Sequence, residues 1–284
     1  MNWQTRDIAP GLYLVATPLG NARDITLRAL DLLASADLLA AEDTRTLRRL
    51  MEIHGVARGE RPLIAYHDHN AAKARPRLMS ALAAGKSVVY ASEAGTPLIS
   101  DPGFDLMRDA LAAGVACTSA PGPTAVIAAL TLSGLPTDRF LFAGFLPNGT
   151  GKRKKVLREL ANVPATLVFY ESPKRLAAML RDAAAELGPR KAVVCRELTK
   201  RFEERCEGSL EDLSRRYEGE SVKGEIVVII ERAAHQDTDP ATLDAALKKA
   251  LTRGSVKDAA SEVAQKLGIS RREAYQRAMA LAKN

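Results

Sequence analysis

Residues 87–103 read SVVYASEAGTPLISDPG and combine a strand, a tight loop and the start of a helix. The run from Ser87 to Ala91 predicts a buried strand, because it is short, largely apolar and bounded by turn residues. Gly95 and Gly103, with two prolines between them, predict a rigid turn whose backbone a ligand can approach closely. Ligands of open α/β sheets bind at the carboxyl ends of strands, so this loop is a candidate binding site. A turn that is rigid for packing alone is the alternative.

The same order of strand, loop and helix recurs through the first half of the chain. Such alternation predicts a mostly parallel sheet covered by helices on both faces. Asp24 is the predicted N-cap of the first helix. The strand candidates are 12–17, 37–42, 62–66, 87–92 and 115–119, and the helix candidates are 24–36, 44–54, 70–84, 103–113 and 124–133.

Beyond a linker at 134–138 the alternation is less regular, which predicts a mixed sheet in a second α/β half. The strand candidates there are 139–145, 165–170, 191–195 and 225–231, and the helix candidates are 151–161, 173–187 and 209–217.

A polar stretch at 233–241 precedes a tail that is rich in Ala, Lys and Arg and wholly helical in pattern. Ser255-Val-Lys-Asp258 and Ser270-Arg-Arg-Glu273 each fit a capping box, with Gly268 between their helices. This is typical of a helix-turn-helix, although any small helical bundle would show it. We therefore expect an α/β protein with two α/β domains, at 1–120 and 121–235, and a small helical domain at 236–284.

The net charge of +7 is unevenly placed. Residues 1–149 carry equal numbers of acidic and basic side chains, so the whole excess comes from later residues. This favours a front half that binds something small and a back half that meets a polyanion. A basic surface that only aids solubility is the alternative.

Other features indicate the cellular compartment. Cys117, Cys195 and Cys206 are odd in number and widely spaced, which argues against a disulfide framework and fits a reducing cytoplasm. No stretch approaches about 18 uncharged apolar residues, so we expect no membrane-spanning helix. The polar stretch from Met1 to Pro10 lacks the apolar core of a signal peptide.

Further loops follow other strands. Those at 17–21 and 119–125 would converge with 92–103 on one edge of the sheet and form a cleft. Glu42-Asp43-Thr44-Arg45 and His67-Asp68-His69-Asn70 add groups that can orient or deprotonate a hydroxyl. Helix capping by the aspartates of these two runs is the alternative. Two histidines without a nearby cysteine are a weak metal signal, so no metal site is predicted.

A cluster of cations, Lys152-Arg153-Lys154-Lys155, opens the helix after residue 150. Cations at a helix start oppose the macrodipole, so either a phosphate partner or a solvated face would account for them. The stretch is not a nucleotide-triphosphate loop, because Leu146 stands where the first glycine belongs and Arg153 replaces the Ser or Thr. No G-x-G-x-x-G follows the first strand, so a dinucleotide site is unsupported.

Taken in order, these motifs resemble those of the bacterial 16S rRNA (cytidine 2′-O)-methyltransferases of the tetrapyrrole methylase superfamily. The resemblance covers about residues 11–232 and extends to the helical tail. In one departure, Glu93 stands where the family usually has Asp, so one added methylene keeps the charge but moves it. The motifs are Thr17–Asn21, Glu42–Arg45, His67–Asn70, 92–103, Pro121–Thr124, Gly134–Phe140, Gly144–Pro147, Phe169–Pro173, Arg196–Lys200 and Lys223–Glu225.

The resemblance implies two α/β domains with S-adenosylmethionine in the cleft between them. It also implies a homodimer that methylates 16S rRNA of the small ribosomal subunit. The residues in cofactor positions are Leu19, Gly95, Thr96, Ile99, Thr124, Ala125, Tyr170 and Ile226, to which we add the cleft carboxylates Glu171 and Glu197.

The reaction must remove one proton from a ribose hydroxyl, which a base or a polarising cation would assist. The candidates for this step are Glu42, Asp43, His67 and Lys200, and those for binding RNA phosphates are Lys152, Arg153, Lys154, Lys155, Arg271 and Arg272.

Two alternatives remain. One is a methyltransferase that acts on a small tetrapyrrole, against which the basic charge and the helical tail argue. The other is a non-catalytic RNA- or DNA-binding module whose helical tail is the functional part.

Overall fold

The first half of the chain forms a five-stranded parallel sheet in the computed structural model, which describes residues 3–233, 240–267 and 271–282. Its strands are β1 (Gly11–Val15), β2 (Leu38–Ala41), β3 (Leu63–Ala65), β4 (Ser87–Ala91) and β5 (Cys117–Ala120). They lie in the order β3-β2-β4-β1-β5, and every pair of neighbours is parallel. The prediction of a parallel sheet is confirmed, and the carboxyl ends of all its strands meet at one edge.

Helices cover both faces of this sheet, as predicted. They are α1 (Leu27–Ser35), α2 (Thr44–Ile53), α3 (Ala71–Ala83) and α4 (Phe104–Ala112). Leu39 and Val89 pack against α1 and α2 on one face, while Val88 and Tyr90 pack against α3 and α4 on the other. Successive residues of a strand point to opposite faces, which is why β4 is buried along its whole length.

The N-cap of α1 differs from the predicted one. Thr26 caps this helix, because its Oγ1 accepts a hydrogen bond from the Ala29 amide at 3.1 Å. Asp24 lies in the preceding turn, where its amide donates to the Asn21 carbonyl at 2.9 Å. Thr and Asp both cap helices well, so local sequence did not decide between them.

The second half forms a mixed five-stranded sheet, as expected. Its strands are β6 (Phe140–Phe145), β7 (Thr166–Glu171), β8 (Lys191–Arg196), β9 (Glu204–Ser209) and β10 (Ile226–Ile230). The order is β6-β7-β10-β8-β9, with β6 and β7 parallel and the other neighbours antiparallel. Strand β9 was not predicted, because this edge strand reads ERCEGS and lacks an apolar run.

The helices of the second half are α5 (Ala125–Ser133), α6 (Thr150–Leu160), α7 (Leu176–Leu187) and α8 (Leu210–Tyr217). Val126, Ala129 and Leu130 of α5 pack in one core with side chains of β7, β8 and β10. Helix α5 therefore follows the last strand of the first sheet but belongs to the core of the second.

The chain divides into two compact units. The first contains both sheets, in Met1–Arg158 and Ala165–Glu231, and the second comprises Glu159–Pro164 and Arg232–Asn284. The predicted domain boundary at residue 120 falls inside the first unit, and the one at 235 falls outside the described residues. Both boundaries stay predictions.

The second unit contains α9 (Pro240–Leu251), α10 (Val256–Leu267) and α11 (Arg271–Ala282), which share a core built largely of Ala and Leu side chains. The Ser255 hydroxyl accepts a hydrogen bond from the Asp258 amide at 3.2 Å, so Ser255 caps α10 as the first predicted capping box requires. The Asp258 carboxylate accepts from the Ser255 hydroxyl at 2.6 Å rather than from its amide, so the reciprocal half of the box differs from the prediction. The box that begins at Ser270, and Gly268, lie outside the described residues. None of the described helices is long and apolar enough to cross a membrane.

Arg153 does not fit its predicted role as a phosphate contact. Its side chain is only 4% exposed, and its Nε donates to Asp182 Oδ2 at 2.7 Å. Two further donors reach the Asn148 carbonyl at 3.1 Å and the Thr150 hydroxyl at 3.3 Å. The buried carboxylate of Asp182 neutralises this cation, so Arg153 holds α6 against α7 rather than facing solvent.

The variant Arg153→Met should therefore lose stability rather than RNA affinity. It leaves Asp182 buried without its cation, which we expect to lower the free energy of unfolding by about 3–5 kcal/mol in urea denaturation. The exposed neighbour Lys152, changed to Gln, serves as the control and should shift that free energy by less than about 0.5 kcal/mol. Equal stabilities of the two variants would contradict a structural role for Arg153.

Candidate active site

A cavity of about 1100 Å³ lies at the carboxyl edge of the first sheet, within the first compact unit. The loops after β1, β2, β4 and β5 line one side, and residues of β6, β7, β10 and the loops beside β8 and β10 line the other. The residues placed in its lining include these predicted ones: Leu19, Gly95, Thr96, Ile99, Thr124, Ala125, Tyr170, Glu171 and Ile226, together with Glu42, Asp43 and Lys200.

Backbone hydrogen bonds fix the loops that form the floor of the cavity. The Thr17 amide donates to the Gly95 carbonyl, and the Gly95 amide donates to the Thr17 carbonyl, both at 2.9 Å. The Thr96 hydroxyl donates to the Pro123 carbonyl at 3.0 Å and so ties in the third loop. The convergence predicted for these three loops is confirmed.

Gly95 is required at this point for two reasons. Its φ of +77° lies in the left-handed region, which favours glycine. A Cβ built on it would lie 3.2 Å from Leu19 Cδ2. A bulkier residue would therefore strain the backbone and displace a side chain of the lining.

An aromatic side chain and a buried carboxylate follow one another on β7. The ring of Tyr170 packs edge-on against Phe142 and Phe145, with centroids 4.7 and 5.7 Å apart, and burial raises its pKa to about 12. Glu171 accepts from the Ser172 amide at 2.8 Å, and burial raises the pKa of its carboxyl. Its second oxygen, Oε2, is buried and has no hydrogen-bond partner among the described residues, so it can accept from a ligand.

Several carboxylates from different loops face the cavity. The Glu93 amide donates to Glu42 Oε2 at 3.2 Å, which places two of them side by side. Burial, together with Glu42 and Asp43, raises the pKa of the Glu93 carboxyl. Burial, together with Glu42 and Glu93, raises the pKa of Asp101 to about 7. This side of the cavity therefore carries more negative charge than its cations balance locally.

Asp43 is occupied as a helix cap. Its Oδ1 accepts from the Arg45 amide at 2.7 Å and from the Thr46 amide at 3.3 Å. Hydrogen bonds from the Arg45 side chain and backbone hold the pKa of Asp43 well below its usual range. The capping alternative is thus confirmed for Asp43, whereas the cap position of α3 is Asn70 rather than Asp68.

Lys200 is paired with two carboxylates. Its Nζ donates to Glu197 Oε1 at 2.8 Å and to Glu225 Oε2 at 3.0 Å. Burial would lower the pKa of Lys200, but these two hydrogen bonds raise it. Glu197 holds this ammonium from behind, and its own pKa is lowered chiefly by the hydrogen bond from Lys200. Lys200 therefore presents a fixed positive charge at the cavity.

Two of the predicted site residues are outside the lining. Glu197 contacts Lys200 and the Glu225 amide and does not line the cavity. His67 also lies outside the lining, with its ring centroid 6.1 Å from that of His69. Its Nδ1 is buried without a hydrogen-bond partner among the described residues.

The side chains predicted to contact RNA phosphates differ in how exposed they are. Lys152, Lys155, Arg271 and Arg272 are exposed. Lys154 lies 3.6 Å from Glu186 in an ion pair and is half-buried.

Other residues of the lining were not among the predicted site residues. Ser100 and Asp101 lie in the 92–103 loop, where the carboxylate next to Pro102 is a signal visible in the sequence. Arg49 also lines the cavity and stands in none of the motifs, because only tertiary contacts bring it there. Phe145 and Glu225 stand in the motifs at 144–147 and 223–225, but neither was among the predicted site residues.

Family models match most of the chain. The model described as Tetrapyrrole (Corrin/Porphyrin) Methylases matches residues 11–214, and the model described as RsmI C-terminal HTH domain matches residues 237–282. A curated relative from Mesorhizobium japonicum, named ribosomal RNA small subunit methyltransferase I, is 48% identical over 97% of this chain and 94% of its own length. Relatives of the same name from Xylella fastidiosa and Mycobacterium bovis are 45% and 43% identical over 89% and 93% of this chain, and over 95% and 93% of their own lengths.

Solved structures share the fold at low sequence identity. A cobalt precorrin-4 methyltransferase superposes with a TM-score of 0.60 at 18% identity, over 78% of this chain and 94% of that one. A uroporphyrin-III C-methyltransferase from Thermus thermophilus, complexed with S-adenosylhomocysteine, gives 0.55 at 22% identity, over 78% of this chain and 98% of that one. The chain therefore belongs to the tetrapyrrole methylase family, and within it to the group named ribosomal RNA small subunit methyltransferase I.

Proposed function

We propose that this protein transfers a methyl group from S-adenosylmethionine to the 2′-hydroxyl of a cytidine in the decoding centre of 16S rRNA. The names of relatives that match nearly the whole chain, including its helical tail, support the class of reaction and the substrate. The homodimer, the cytoplasmic location and the choice of nucleotide are inferred from the family resemblance. One structural observation carries the assignment, namely the cavity formed by the converging loops at the carboxyl edge of the first sheet.

The residues of the cavity fit S-adenosylmethionine. Its volume of about 1100 Å³ lies at the upper end of the range of roughly 300–1,000 Å³ that is typical of small-ligand sites, so a cofactor of this size can be accommodated. Gly95 lets a ligand approach the backbone, Leu19, Ile99 and Ile226 offer apolar surface, and Glu171 offers an unpaired buried acceptor. The bound cofactor supplies an electrophilic methyl group on a positively charged sulfur, a charge that suits the acidic lining.

The chain's own residues must position the ribose and handle its proton. Lys200 cannot act as the base, because its paired ammonium stays protonated, but it can stabilise negative charge that develops on the ribose oxygen. Asp43 is a poor base, because its pKa is held low by Arg45. Of the four candidates for this step, Glu42, Asp43 and Lys200 line the cavity, and His67 lies outside the lining.

Cations at the rim can orient the RNA. Arg45 and Arg49 line the cavity from α2 with exposed side chains. Lys152 and Lys155 extend the basic surface of the second half, and their exposure lets them neutralise phosphates. Arg45 and Arg49 each pair with a carboxylate, but exposed pairs are weak and exchange readily for phosphate.

A tetrapyrrole substrate fits this cavity less well. Such substrates carry carboxylate side chains, and these would meet the acidic groups Glu42, Glu93, Asp101 and Glu225. A purely non-catalytic module would have no use for the Gly95 turn and the carboxylates around it. Both alternatives are therefore less well supported than RNA methylation.

The proposal is tested by methyl transfer from labelled S-adenosylmethionine to 30S subunits that lack the modification. We expect label on one cytidine ribose of the decoding centre, located by nuclease digestion and primer extension. Cofactor binding without any transfer to RNA would overturn the proposed substrate, and label on a base rather than a ribose would overturn the proposed acceptor atom.

Gly95→Val should abolish tight cofactor binding. The added side chain strains a backbone at φ +77° and presses on Leu19, so we expect affinity in calorimetry to fall about tenfold or more. Gly85→Val is the matched control, because its φ is +71° and a Cβ there meets nothing within 4 Å. If both variants lost cofactor affinity to the same extent, backbone strain alone would account for the loss and Gly95 would not contact the cofactor. If Gly95→Val kept the wild-type affinity, the expected effect would be absent.

Replacing Lys152 and Lys155 by Gln should weaken RNA binding in a salt-dependent way. Each lost phosphate contact reduces the slope of log affinity against log salt by about one. The control is the double variant Lys73→Gln, Lys86→Gln, which removes two exposed cations from the neutral front half. The slopes are measured by filter binding to 30S subunits. Identical salt slopes for the two double variants would show that Lys152 and Lys155 do not contact the RNA.

A further inference from the structure

We propose that Phe145 is the platform on which the base of the target cytidine stacks while its ribose is methylated. The inference rests on the proposed function and names a residue to which neither the sequence motifs nor the relatives assign a role. Phe145 is the last residue of β6 and lines the cavity. It is 55% exposed, more than any other large apolar side chain of the described lining.

A β-bulge turns Phe145 toward the cavity. Phe142 pairs with Val168 of β7 and Phe145 pairs with Tyr170, so β6 uses three residues where β7 uses two. In a regular strand, residues three apart point to opposite faces. The extra residue places Phe142 and Phe145 on the same face, where both rings contact Tyr170. Bulges that re-aim a side chain in this way are common at sheet edges and next to active sites.

Gly144 is the residue that allows the bulge. Its φ of +61° lies in the left-handed region that favours glycine. A Cβ built on it would lie 3.6 Å from Ser100 Oγ, so the bulge packs beside the 92–103 loop. The bulge therefore lies between the second sheet and a loop of the first, and it holds the Phe145 ring at the cavity that these two parts line.

The ring of Phe145 is available to a flat partner. Tyr170 meets it at an interplanar angle of 63°, edge to face rather than flat, and more than half of the Phe145 surface stays open. Proteins that act on single-stranded or loop RNA hold unstacked bases on aromatic side chains. Such stacking needs only the flat face of a base and no particular pattern of hydrogen bonds. A planar nucleobase is therefore the ligand that this side chain fits.

Two nucleobases enter the proposed reaction, the adenine of the cofactor and the cytosine of the substrate. Several residues predicted to hold the cofactor are less exposed than Phe145, since Gly95 and Ile226 are buried and Leu19 and Thr124 are half-buried. A nucleotide of a large RNA enters the cavity from solvent, so it meets the most exposed part of the lining first. The exposure of Phe145 therefore favours the cytosine as its partner.

Stacking of the base restricts where the ribose can lie. The glycosidic bond joins base and ribose, so a base held on Phe145 limits the positions that the 2′-hydroxyl can take. Methyl transfer needs the ribose oxygen in line with the carbon–sulfur bond, and positioning of this kind contributes a large share of many enzymatic rates. Phe145 touches the substrate but takes no part in the bonds that form and break, so it acts on the rate through orientation.

The test compares methyl transfer to unmodified 30S subunits at saturating cofactor. Phe145→Ala should lower kcat/KM for the subunits by about 5- to 150-fold, the range expected for the loss of one base–aromatic stack. Phe145→Tyr keeps a flat ring and should recover most of the activity, whereas Phe145→Leu keeps only apolar bulk and should recover little. Phe140→Ala is the matched control, because Phe140 lies at the other end of β6, is 42% exposed and is outside the lining.

A second measurement removes the base instead of the ring. Subunits reconstituted with an abasic nucleotide at the target position keep the 2′-hydroxyl but offer nothing to stack. On these subunits the wild type should lose the same factor that Phe145→Ala loses on normal ones, and Phe145→Ala should lose little more, because both changes remove one interaction. Cofactor affinity in calorimetry should differ less than about threefold between Phe145→Ala and the wild type, which shows that the cofactor site is intact.

The outcomes separate the two levels of the proposal. A wild-type protein that methylates no RNA would overturn the proposed function as a whole. An active wild type together with a Phe145→Ala variant of full activity, or a Phe145→Leu variant as active as Phe145→Tyr, would overturn only the role of Phe145. A loss of cofactor affinity, with independent effects of ring and base, would assign the ring to the adenine instead. A lower molecular mass of Phe145→Ala in light scattering would assign it to a contact between two copies of the chain.

Discussion

The paired backbone hydrogen bonds between Thr17 and Gly95 join the loops that leave the neighbouring strands β1 and β4. Without this link the two loops would be independent, and the floor of the cavity would not exist as a fixed surface. The link depends in turn on the parallel sheet, because only parallel neighbours send their following loops to the same edge. Gly95 allows this pair of hydrogen bonds to form, since its left-handed backbone turns the loop back toward Thr17.

The protein carries positive charge overall and negative charge at its cavity, which suits two ligands of opposite charge. The protein has a net charge of +7, which suits a polyanion, yet carboxylates dominate one side of its cavity. An acidic cavity suits the cationic cofactor proposed above and repels phosphate, while exposed cations at the rim and on the second half suit the backbone of the proposed RNA substrate. Lys200 is the exception inside the cavity, and Glu197 and Glu225 hold it in place. In the proposed function, a ribose enters the cavity while its phosphates remain outside.

Sequence predicted the fold well because the main elements carry strong local signals. The buried strands of the first sheet are short apolar runs followed by Gly- and Pro-rich turns, and these patterns need no tertiary information. Strand β9 was missed because an edge strand can be polar, and the assignment of Arg153 was wrong because a cation reads as solvated until its buried partner is known. Asp182 lies 29 residues away, and no local rule connects the two.

The site could be predicted only in part, because some of its residues stand in local motifs while others depend on tertiary contacts. Loop residues such as Gly95 and Thr124 belong to motifs that can be found in sequence, whereas the pKa of Asp101 depends on burial and on carboxylates from other loops. The Asp101 loop also shows how stability and chemistry oppose each other. Left-handed Leu98 and Ser100, and an aspartate that resists ionisation, all reduce the stability of the folded state. The wholly buried strand β4 and the hydrogen bond from the Tyr90 hydroxyl to the Pro102 carbonyl offset that cost.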